Sequence, residues 1–211
     1  MTAANKDNTA NWTVTIESDN YADIPATVNV KVIDKTIDTS TMTVMQTGCI
    51  YGDTLPAYVL TNKPTTATGP ETVLYTGTLR SGSSYSSNTA PTEAGTYQVK
   101  VECETSDTIY KATSANFTIA PKRISDATVT LNKTSLEYNG SAQTVTVTVK
   151  DGGTTLVEGT GYTVTGTTSS TNVGSYTVTV TGQGNYTDSV DRTWKITQGT
   201  PTYTVPTGLT A

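Results

Sequence analysis

Apolar and polar residues alternate with a period of two along the stretch from Tyr138 to Ile196. Three runs carry the alternation, and their apolar members are Val145, Val147 and Val149, then Tyr176, Val178 and Val180, and lastly Trp194 and Ile196. Because successive side chains of a β-strand point to opposite faces, each run predicts a strand with one buried face. Glycine-rich segments such as 151–153 and 182–184 separate the runs and supply turns. Short strands closed by turns predict an antiparallel sandwich.

The same pattern occurs twice in the chain. Gly95-Thr-Tyr97 matches Gly174-Ser-Tyr176, and the two tyrosines lie 79 residues apart. A self-similar period of this kind indicates a tandem array, so we divide the chain into a first unit, residues 36–121, and a second unit, residues 122–197. In the first unit, residues 61–88 are rich in Thr, Ser, Gly and Pro, which predicts loops with one strand near residues 72–79.

Partial copies of the pattern occupy both ends of the sequence. Residues 1–35 contain Trp12-Thr-Val-Thr-Ile16, then Asn20-Tyr21, then an alternating run at 28–32, which reproduces the closing half of the second unit. Residues 198–211 resemble the first strand or linker of a following unit. We therefore expect the chain to be a segment of a longer protein.

Composition favours strands over helices. The chain has about fifty threonines and a single phenylalanine, and threonine is a β-branched residue that tolerates the wet face of a sheet. An apolar stripe at helical spacing is missing from every window of ten or more residues. The predicted fold class is all-β, with almost no helix.

Charge and hydropathy narrow the choice of partners. The formal net charge is −5, and the few Lys and Arg residues form no run, which argues against nucleic acid or an anionic membrane surface as a partner. The apolar segments are too short to cross a bilayer, so we expect no membrane insertion. Residues 1–5 do not begin a signal peptide, because no apolar stretch follows them.

The residues that commonly carry catalysis are scarce. Histidine is absent, which excludes Ser-His-Asp and Cys-His catalysis and zinc sites that use histidine. The acidic residues are scattered through predicted turns, where solvated carboxylates are the simplest interpretation. We therefore predict no catalytic, cofactor-binding or metal-binding residues, and a protein that is not an enzyme.

Two cysteines, Cys49 and Cys103, fall in the first unit. Cys103 continues the alternation of Tyr97, Val99 and Val101, so its side chain is expected to face the core. A disulfide between the two cysteines would join an early strand to a late one and add about 4 kcal/mol in an oxidising environment. The alternative is a pair of unbonded, buried small side chains.

Tyrosines in and around the loops of the first unit are candidate ligand contacts. Tyr58, Tyr75 and Tyr85, together with Tyr203, are candidates for exposed, flat rings on which a sugar can stack. The alternative is that several of these tyrosines pack against strand edges or loops. Loops on a rigid scaffold commonly carry binding, which makes residues 61–92 the candidate contact region for a glycan or a host or matrix protein.

Several short motifs carry a family resemblance. Tyr51-Gly-Asp-Thr-Leu-Pro56, Tyr138-Asn-Gly140 and the sequence from Gly159-Thr-Gly-Tyr162 to Gly184-Asn-Tyr186 resemble bacterial immunoglobulin-like repeats of the MBG and YDG type. The resemblance implies tandem Ig-like sandwiches in a secreted or cell-surface, adhesin-like bacterial protein. It further implies a structural stalk that packs against neighbouring repeats of the same chain, and its motifs specify fold rather than activity.

Overall fold

The structure of the protein, a computed structural model, describes residues 9–16, 24–31 and 35–201, and it gives only the backbone course of the first two segments. Within these residues the fold is all-β, and the only regular helical element is a 3-10 turn at Ile124–Asp126. The predicted fold class, all-β with almost no helix, is confirmed for this part of the chain. The sheets are open.

The predicted half-repeat before the first unit is described as a hairpin. Strands β1 (Thr9–Ile16) and β2 (Ile24–Lys31) pair antiparallel with Trp12 opposite Val28. Residues 20 and 21 of that half-repeat lie outside the described residues, as do residues 202–211 of the predicted following unit, Tyr203 among them.

The first unit is organised around its longest strand, β9. Its strands are β3 (Thr36–Asp38), β4 (Thr43–Met45), β5 (Cys49–Ile50), β6 (Val59–Thr61), β7 (Thr72–Leu79), β8 (Ser84–Ser87), β9 (Gly95–Glu104), β10 (Thr108–Thr113) and β11 (Phe117–Ala120). Strand β9 pairs antiparallel with β7, β10 and β11, while β3 and β5 pair parallel with β10 and β11. The strand predicted near residues 72–79 is confirmed, but β8 lies where a loop is predicted.

The core of the first unit follows the alternation along β9. Tyr97, Val99, Val101 and Cys103 are all buried, and they pack with Phe117 and other apolar side chains. The prediction that Cys103 faces the core is therefore confirmed. The intervening residues of β9 are more exposed, as a period of two requires.

The second unit is organised around the antiparallel pair β20 and β22. Its strands are β12 (Lys122–Arg123), β13 (Thr128–Leu131), β14 (Ser135–Glu137), β15 (Gln143–Thr144), β16 (Val147–Asp151), β17 (Thr154–Thr155), β18 (Tyr162–Gly166), β19 (Ser169–Ser170), β20 (Gly174–Gly182), β21 (Tyr186–Thr187) and β22 (Ser189–Thr197). The sheet order is β14-β22-β20-β18, with β14 parallel to β22. As predicted, Val178, Val180, Trp194 and Ile196 are buried.

The predicted continuous strand through Val145, Val147 and Val149 is wrong in one respect. Strand β15 ends at Thr144 and β16 begins at Val147, so the strand is interrupted at Val145. Val145 is buried in one apolar cluster of the second unit and Val149 in the other, while Val147 packs against both. The interruption lets one run of alternating valines supply two separate cores.

Candidate functional site at the junction of the two units

Tyr51 connects the apolar cores of the two units. It follows β5, and its backbone N–H donates a hydrogen bond to the carbonyl oxygen of Ala120 over 2.8 Å. Its ring meets the ring of Tyr186 edge-on, with the ring centroids 5.5 Å apart. Tyr51 therefore packs against the core of the first unit and against one core cluster of the second. Edge-to-face rings contribute about 1 kcal/mol beyond their burial.

A tight loop between β20 and β21 brings the second unit to this contact. The N–H of Tyr186 donates to the carbonyl oxygen of Gln183 over 3.0 Å, which closes the loop. Gly184 lies at φ +59°, and a Cβ there would meet the carbonyl oxygen of Thr160 at 2.9 Å, so the position favours glycine. The loop directs the Asn185 side chain towards the first unit.

Asn185 binds the first unit through both ends of its amide. The Oδ1 atom accepts a hydrogen bond of 2.8 Å from the backbone N–H of Ala94, a residue that is only 1% exposed. The Nδ2 atom donates to the carboxylate of Glu93. The backbone carbonyl of Asn185 also accepts a bond from the N–H of Lys122, over 3.0 Å. One side chain thus satisfies a backbone donor and a carboxylate of the neighbouring unit.

Arg80 binds the backbone of the same loop. It follows β7, and its own N–H donates to the carbonyl oxygen of Ala94 over 2.7 Å. Its Nη1 atom donates to the carbonyl oxygens of Gly184, at 2.9 Å, and of Tyr186, at 2.5 Å. Hydrogen bonds from a charged donor are stronger than those between neutral groups. Arg80 therefore adds charge-assisted bonds to the junction.

An ion pair inside the second unit orients Tyr186. The Lys122 ammonium lies 2.6 Å from Oδ1 of Asp151, and the Tyr186 hydroxyl donates to Oδ2 over 2.9 Å. The bond from Lys122, with that from Tyr186, holds the pKa of Asp151 below its ordinary value of 3.8. Burial, and then the bond to Asp151, raise the pKa of the Tyr186 hydroxyl. Tyr186 is therefore a neutral donor at physiological pH, and both its ring and its hydroxyl are fixed.

An open cleft of about 570 Å³ lies beside the junction. It is lined by Arg80 and Ser81 of the first unit and by Gly159, Thr160, Gly182, Gln183 and Gly184 of the second. Arg80 is the only titratable residue in this lining. The cleft therefore lacks the pair of groups that acid-base chemistry requires.

Of the two alternatives left open for Cys49 and Cys103, the structure shows the unbonded one, since both cysteines are free and the possible disulfide is not formed. Cys49 lies opposite Ile119, and Ile119 lies opposite Gly95 at the start of β9. Cys103 is eight residues further along β9, about 26 Å in an extended strand. A disulfide requires Cα atoms within about 7 Å. The Cys103 sulfur instead lies 3.5 Å from the Met42 sulfur in the core.

The predicted tyrosine platform is not assembled on the surface. Tyr75 is 7% exposed, and its ring packs edge-on against Phe117. Tyr85 packs edge-on against Tyr97, and its hydroxyl donates to the carbonyl oxygen of Thr89. The expectation that these rings are exposed is wrong for Tyr75, and Tyr85 is turned into the core of the first unit.

Tyr58 is half-buried at the edge of the same core. Its hydroxyl donates to Glu71 over 2.8 Å, and Glu71 also accepts a bond from Lys63. Burial, followed by the bond to Glu71, raises the pKa of Tyr58 from 10.0 to about 12. The structure thus places the Tyr58 hydroxyl in a polar network with Glu71 and Lys63, whereas Tyr75 and Tyr85 pack against other aromatic rings.

The junction residues were not among the candidates that the sequence provides. Asn185 and Tyr186 stand out in the sequence as a turn, as part of the motifs that carry the family resemblance, and as a dipeptide repeated at residues 20–21. Arg80 and Glu93 carry no sequence signal, because their partners lie about a hundred residues away. The recurrence of Asn-Tyr in the half-repeat and in the second unit was a clue that this loop has a shared role, although the first unit has Ile109-Tyr110 instead.

Among the described residues, no cluster of three or more Cys, Asp or Glu side chains is arranged to hold a metal ion. The same part of the chain contains no helix that is long and apolar enough to span a membrane.

A family model described as MBG domain matches residues 127–200, about a third of the chain. The match falls on the second unit and includes β13 to β22. The resemblance of this unit to MBG-type repeats is thereby confirmed. No curated protein matches the chain.

Proposed function

We propose, on the premise that residues 127–200 form an MBG domain, that the chain is a non-catalytic structural segment of a secreted or cell-surface, adhesin-like bacterial protein. In this proposal the two units are tandem Ig-like sandwiches of a stalk, and the stalk holds a distal binding region away from the cell. The contacts of the segment are then with neighbouring repeats of its own chain, and a ligand is bound elsewhere.

The observation that carries this proposal is the junction between the units. A spacer keeps a constant length only if consecutive units do not rotate about their linker. Tyr51, Arg80 and Ala94 of the first unit are joined to Asn185 and Tyr186 of the second by ring packing and hydrogen bonds. Because several contacts from three segments of the first unit act together, they oppose rotation of one unit against the other.

The linker itself adds to the rigidity. Only Pro121 separates β11 from β12, and its ring fixes φ while removing a donor. The residues on either side are hydrogen-bonded, since the Ala120 carbonyl accepts from Tyr51 and the Lys122 N–H donates to the Asn185 carbonyl. A linker that is bonded on both sides of a proline has little freedom to act as a hinge.

The proposal is tested by measuring whether the units tumble together. We expect residual dipolar couplings of the full chain, fitted separately for residues 36–120 and 122–197, to give one alignment tensor of equal magnitude and orientation. Unequal tensors in the unmodified chain would contradict the proposal. Combined substitution of Tyr51→Ala and Arg80→Ala should separate the two tensors, whereas Lys133→Ala, an exposed charge away from the junction, should not.

The alternative function is a carbohydrate- or host-protein-binding module that uses residues 61–92. It gains no support from the aromatic side chains, because Tyr75 is buried and Tyr85 packs on Tyr97. Removing residues 61–92 would also remove β7 and β8, so the deletion would damage the sheet and not only the loops. A glycan and matrix-protein array probed with the intact chain and with Lys63→Ala tests this alternative without that defect.

A further inference from the structure

The second unit ends in a surface that repeats the backbone geometry of the first unit at the junction. In the first unit β5 pairs parallel with β11, and the next residue, Tyr51, donates its N–H to Ala120 over 2.8 Å. In the second unit β14 pairs parallel with β22, and the next residue, Tyr138, donates its N–H to Thr197 over 2.9 Å. Tyr138 therefore occupies the position of Tyr51.

A second match between the units, in a tyrosine hydroxyl bond, aligns the residues just before the central strand. The Tyr97 hydroxyl donates to the carbonyl oxygen of Glu93 over 2.7 Å, and the Tyr176 hydroxyl donates to that of Asn172 over 2.6 Å. In both units the bond spans four residues and arches over a glycine, Gly95 or Gly174, at the start of the central strand. By this register Glu93 and Ala94 correspond to residues 172 and 173.

These matched positions differ in what covers them. Ala94 is 1% exposed, and Tyr51 is packed on Tyr186. The counterparts in the second unit, Val173 and Tyr138, are 48% and 47% exposed. A single exposed apolar side chain is ordinary on a protein surface. Val173 and Tyr138, however, match the two positions of the first unit that the second unit covers.

We propose that Tyr138, Asn172 and Val173, which we name the far face, form a docking surface for a further MBG-type repeat. That repeat places its own Asn-Tyr loop on the far face, as the second unit places Asn185 and Tyr186 on the first. The Val173 N–H donates to the asparagine Oδ1, and the incoming tyrosine ring packs against Tyr138. The inference rests on the proposed function and names the partner and the residues of the next contact.

The chain that leaves the second unit runs along the far face. The N–H of Thr200 donates to the Glu137 carboxylate over 3.0 Å, and a Cβ on Gly199 would lie 2.7 Å from the carbonyl oxygen of Tyr138. In the first unit Pro121 and Lys122 follow β11 in the same way, and the Lys122 N–H is bonded to the docked loop at Asn185.

Two differences make the far face a weaker surface than the existing junction. Strand β7 continues to Leu79, where Arg80 follows, whereas β18 leaves β20 at Gly166, so the far face has no counterpart of Arg80. The position of the Glu93 carboxylate is taken by the neutral amide of Asn172. Docking there lacks the charge-assisted bonds, and it depends on the apolar contacts and the single backbone bond.

The test uses residues 1–199 followed by a second copy of residues 122–200, which carries the required loop. Gly199 is kept because a Cβ at this position would meet the carbonyl oxygen of Tyr138. The readout is hydrogen exchange of the Val173 amide, resolved by NMR. We expect exchange to slow by about tenfold relative to the unextended chain, because a new hydrogen bond protects the amide. Substitution Asn185→Ser in the appended copy alone should remove the protection, and this copy still carries its own folded core.

Unchanged exchange at Val173 in the extended chain would overturn the inference, provided that the appended copy gives the dispersed amide signals of a folded repeat. A disulfide trap in the extended chain gives a second readout. Val173→Cys is combined with Asn185→Cys in the appended copy alone, and the native Cys49 and Cys103, which are free thiols, are replaced by alanine. A cross-link between the two new cysteines supports docking, and a cross-link that forms no faster than when Lys133→Cys replaces Val173→Cys overturns it. Failure of the proposed function is distinguishable, since it appears in the dipolar couplings of the unextended chain.

Discussion

The ring of Tyr51 meets the ring of Tyr186 edge-on across the two units, with centroids 5.5 Å apart and planes inclined at 75°. The tyrosines come from different elements, one following β5 and the other beginning β21. Each is held by its own unit, Tyr51 through the bond to Ala120 and Tyr186 through the bond to Asp151. Both rings are therefore fixed, so their contact helps to set the orientation of one unit relative to the other.

Replacing Tyr51 with alanine should lower the free energy of unfolding by about 2 kcal/mol, because a half-buried ring that touches two cores is lost. Tyr138→Ala is the matched control, since Tyr138 holds the equivalent position but is 47% exposed. It should cost less than about 0.5 kcal/mol. Urea denaturation of the full chain measures both, and equal losses would contradict the role given to the Tyr51 contact.

Asn185→Asp should lower the free energy of unfolding by about 1–3 kcal/mol. A second carboxylate then faces Glu93, and the donor that the amide supplies is lost. Adding Glu93→Gln should recover part of this loss, as a double-mutant cycle would show. Asn88→Asp, at an exposed loop position, is the control and should have little effect. Additive effects of the two junction substitutions would count against a direct contact between these side chains.

The ion pair of Asp151 with Lys122 predicts a specific acid sensitivity. The pKa of Asp151 is lower in the folded chain than the ordinary 3.8, so the unfolded chain takes up the proton first. The stabilisation is therefore complete above pH 3.8 and is lost as the pH falls through the folded pKa. The unmodified chain should lose more stability over this range than Asp151→Asn, as measured by urea denaturation at a series of pH values.

Other carboxylates titrate in the same range, and Asp38 has its pKa lowered to about 2 by bonds from Thr41 and Ser40. The comparison with Asp151→Asn removes their common contribution. Parallel acid profiles for the two proteins would show that the ion pair adds nothing to stability.

The thiols should behave as two separate groups. Burial raises the pKa of both Cys49 and Cys103, which lowers the thiolate fraction that reacts with alkylating reagents. We expect Cys49, which is half-buried, to label before Cys103, which is 2% exposed, and we expect two labels after denaturation without reductant. Intact-mass spectrometry gives the count, and a denatured chain that takes no label would restore the disulfide.

The sequence predicted the strand faces well because those depend on local alternation. Val178, Val180, Trp194 and Ile196 are buried as their spacing requires. The same reasoning failed at Val145, since alternation continues through a point where the chain breaks from one sheet to another. Periodicity reports which side chains share a face, but it does not report whether the strand is continuous.

Contacts between distant residues were the part that sequence could not provide. Arg80 and Tyr186 are 106 residues apart. Neither Arg80 nor Glu93 belongs to a repeated or alternating sequence pattern. The sequence left the pairing of the two cysteines open for a related reason, because the register that places Cys49 beside Ile119 is set by parallel strand pairing. Exposure of Tyr75 was likewise misjudged, since a tyrosine in a Thr-rich strand has the same sequence appearance whether its ring is inside or outside.

The parallel pairing of an early strand with the last strand in each unit has a mechanical consequence. Strands β5 and β11 run in the same direction, as do β14 and β22. Tension applied to the two ends of a unit pulls such strands past each other lengthwise, so their hydrogen bonds are loaded together and in shear. A unit built this way resists extension until several bonds fail at once, and it then gives way abruptly.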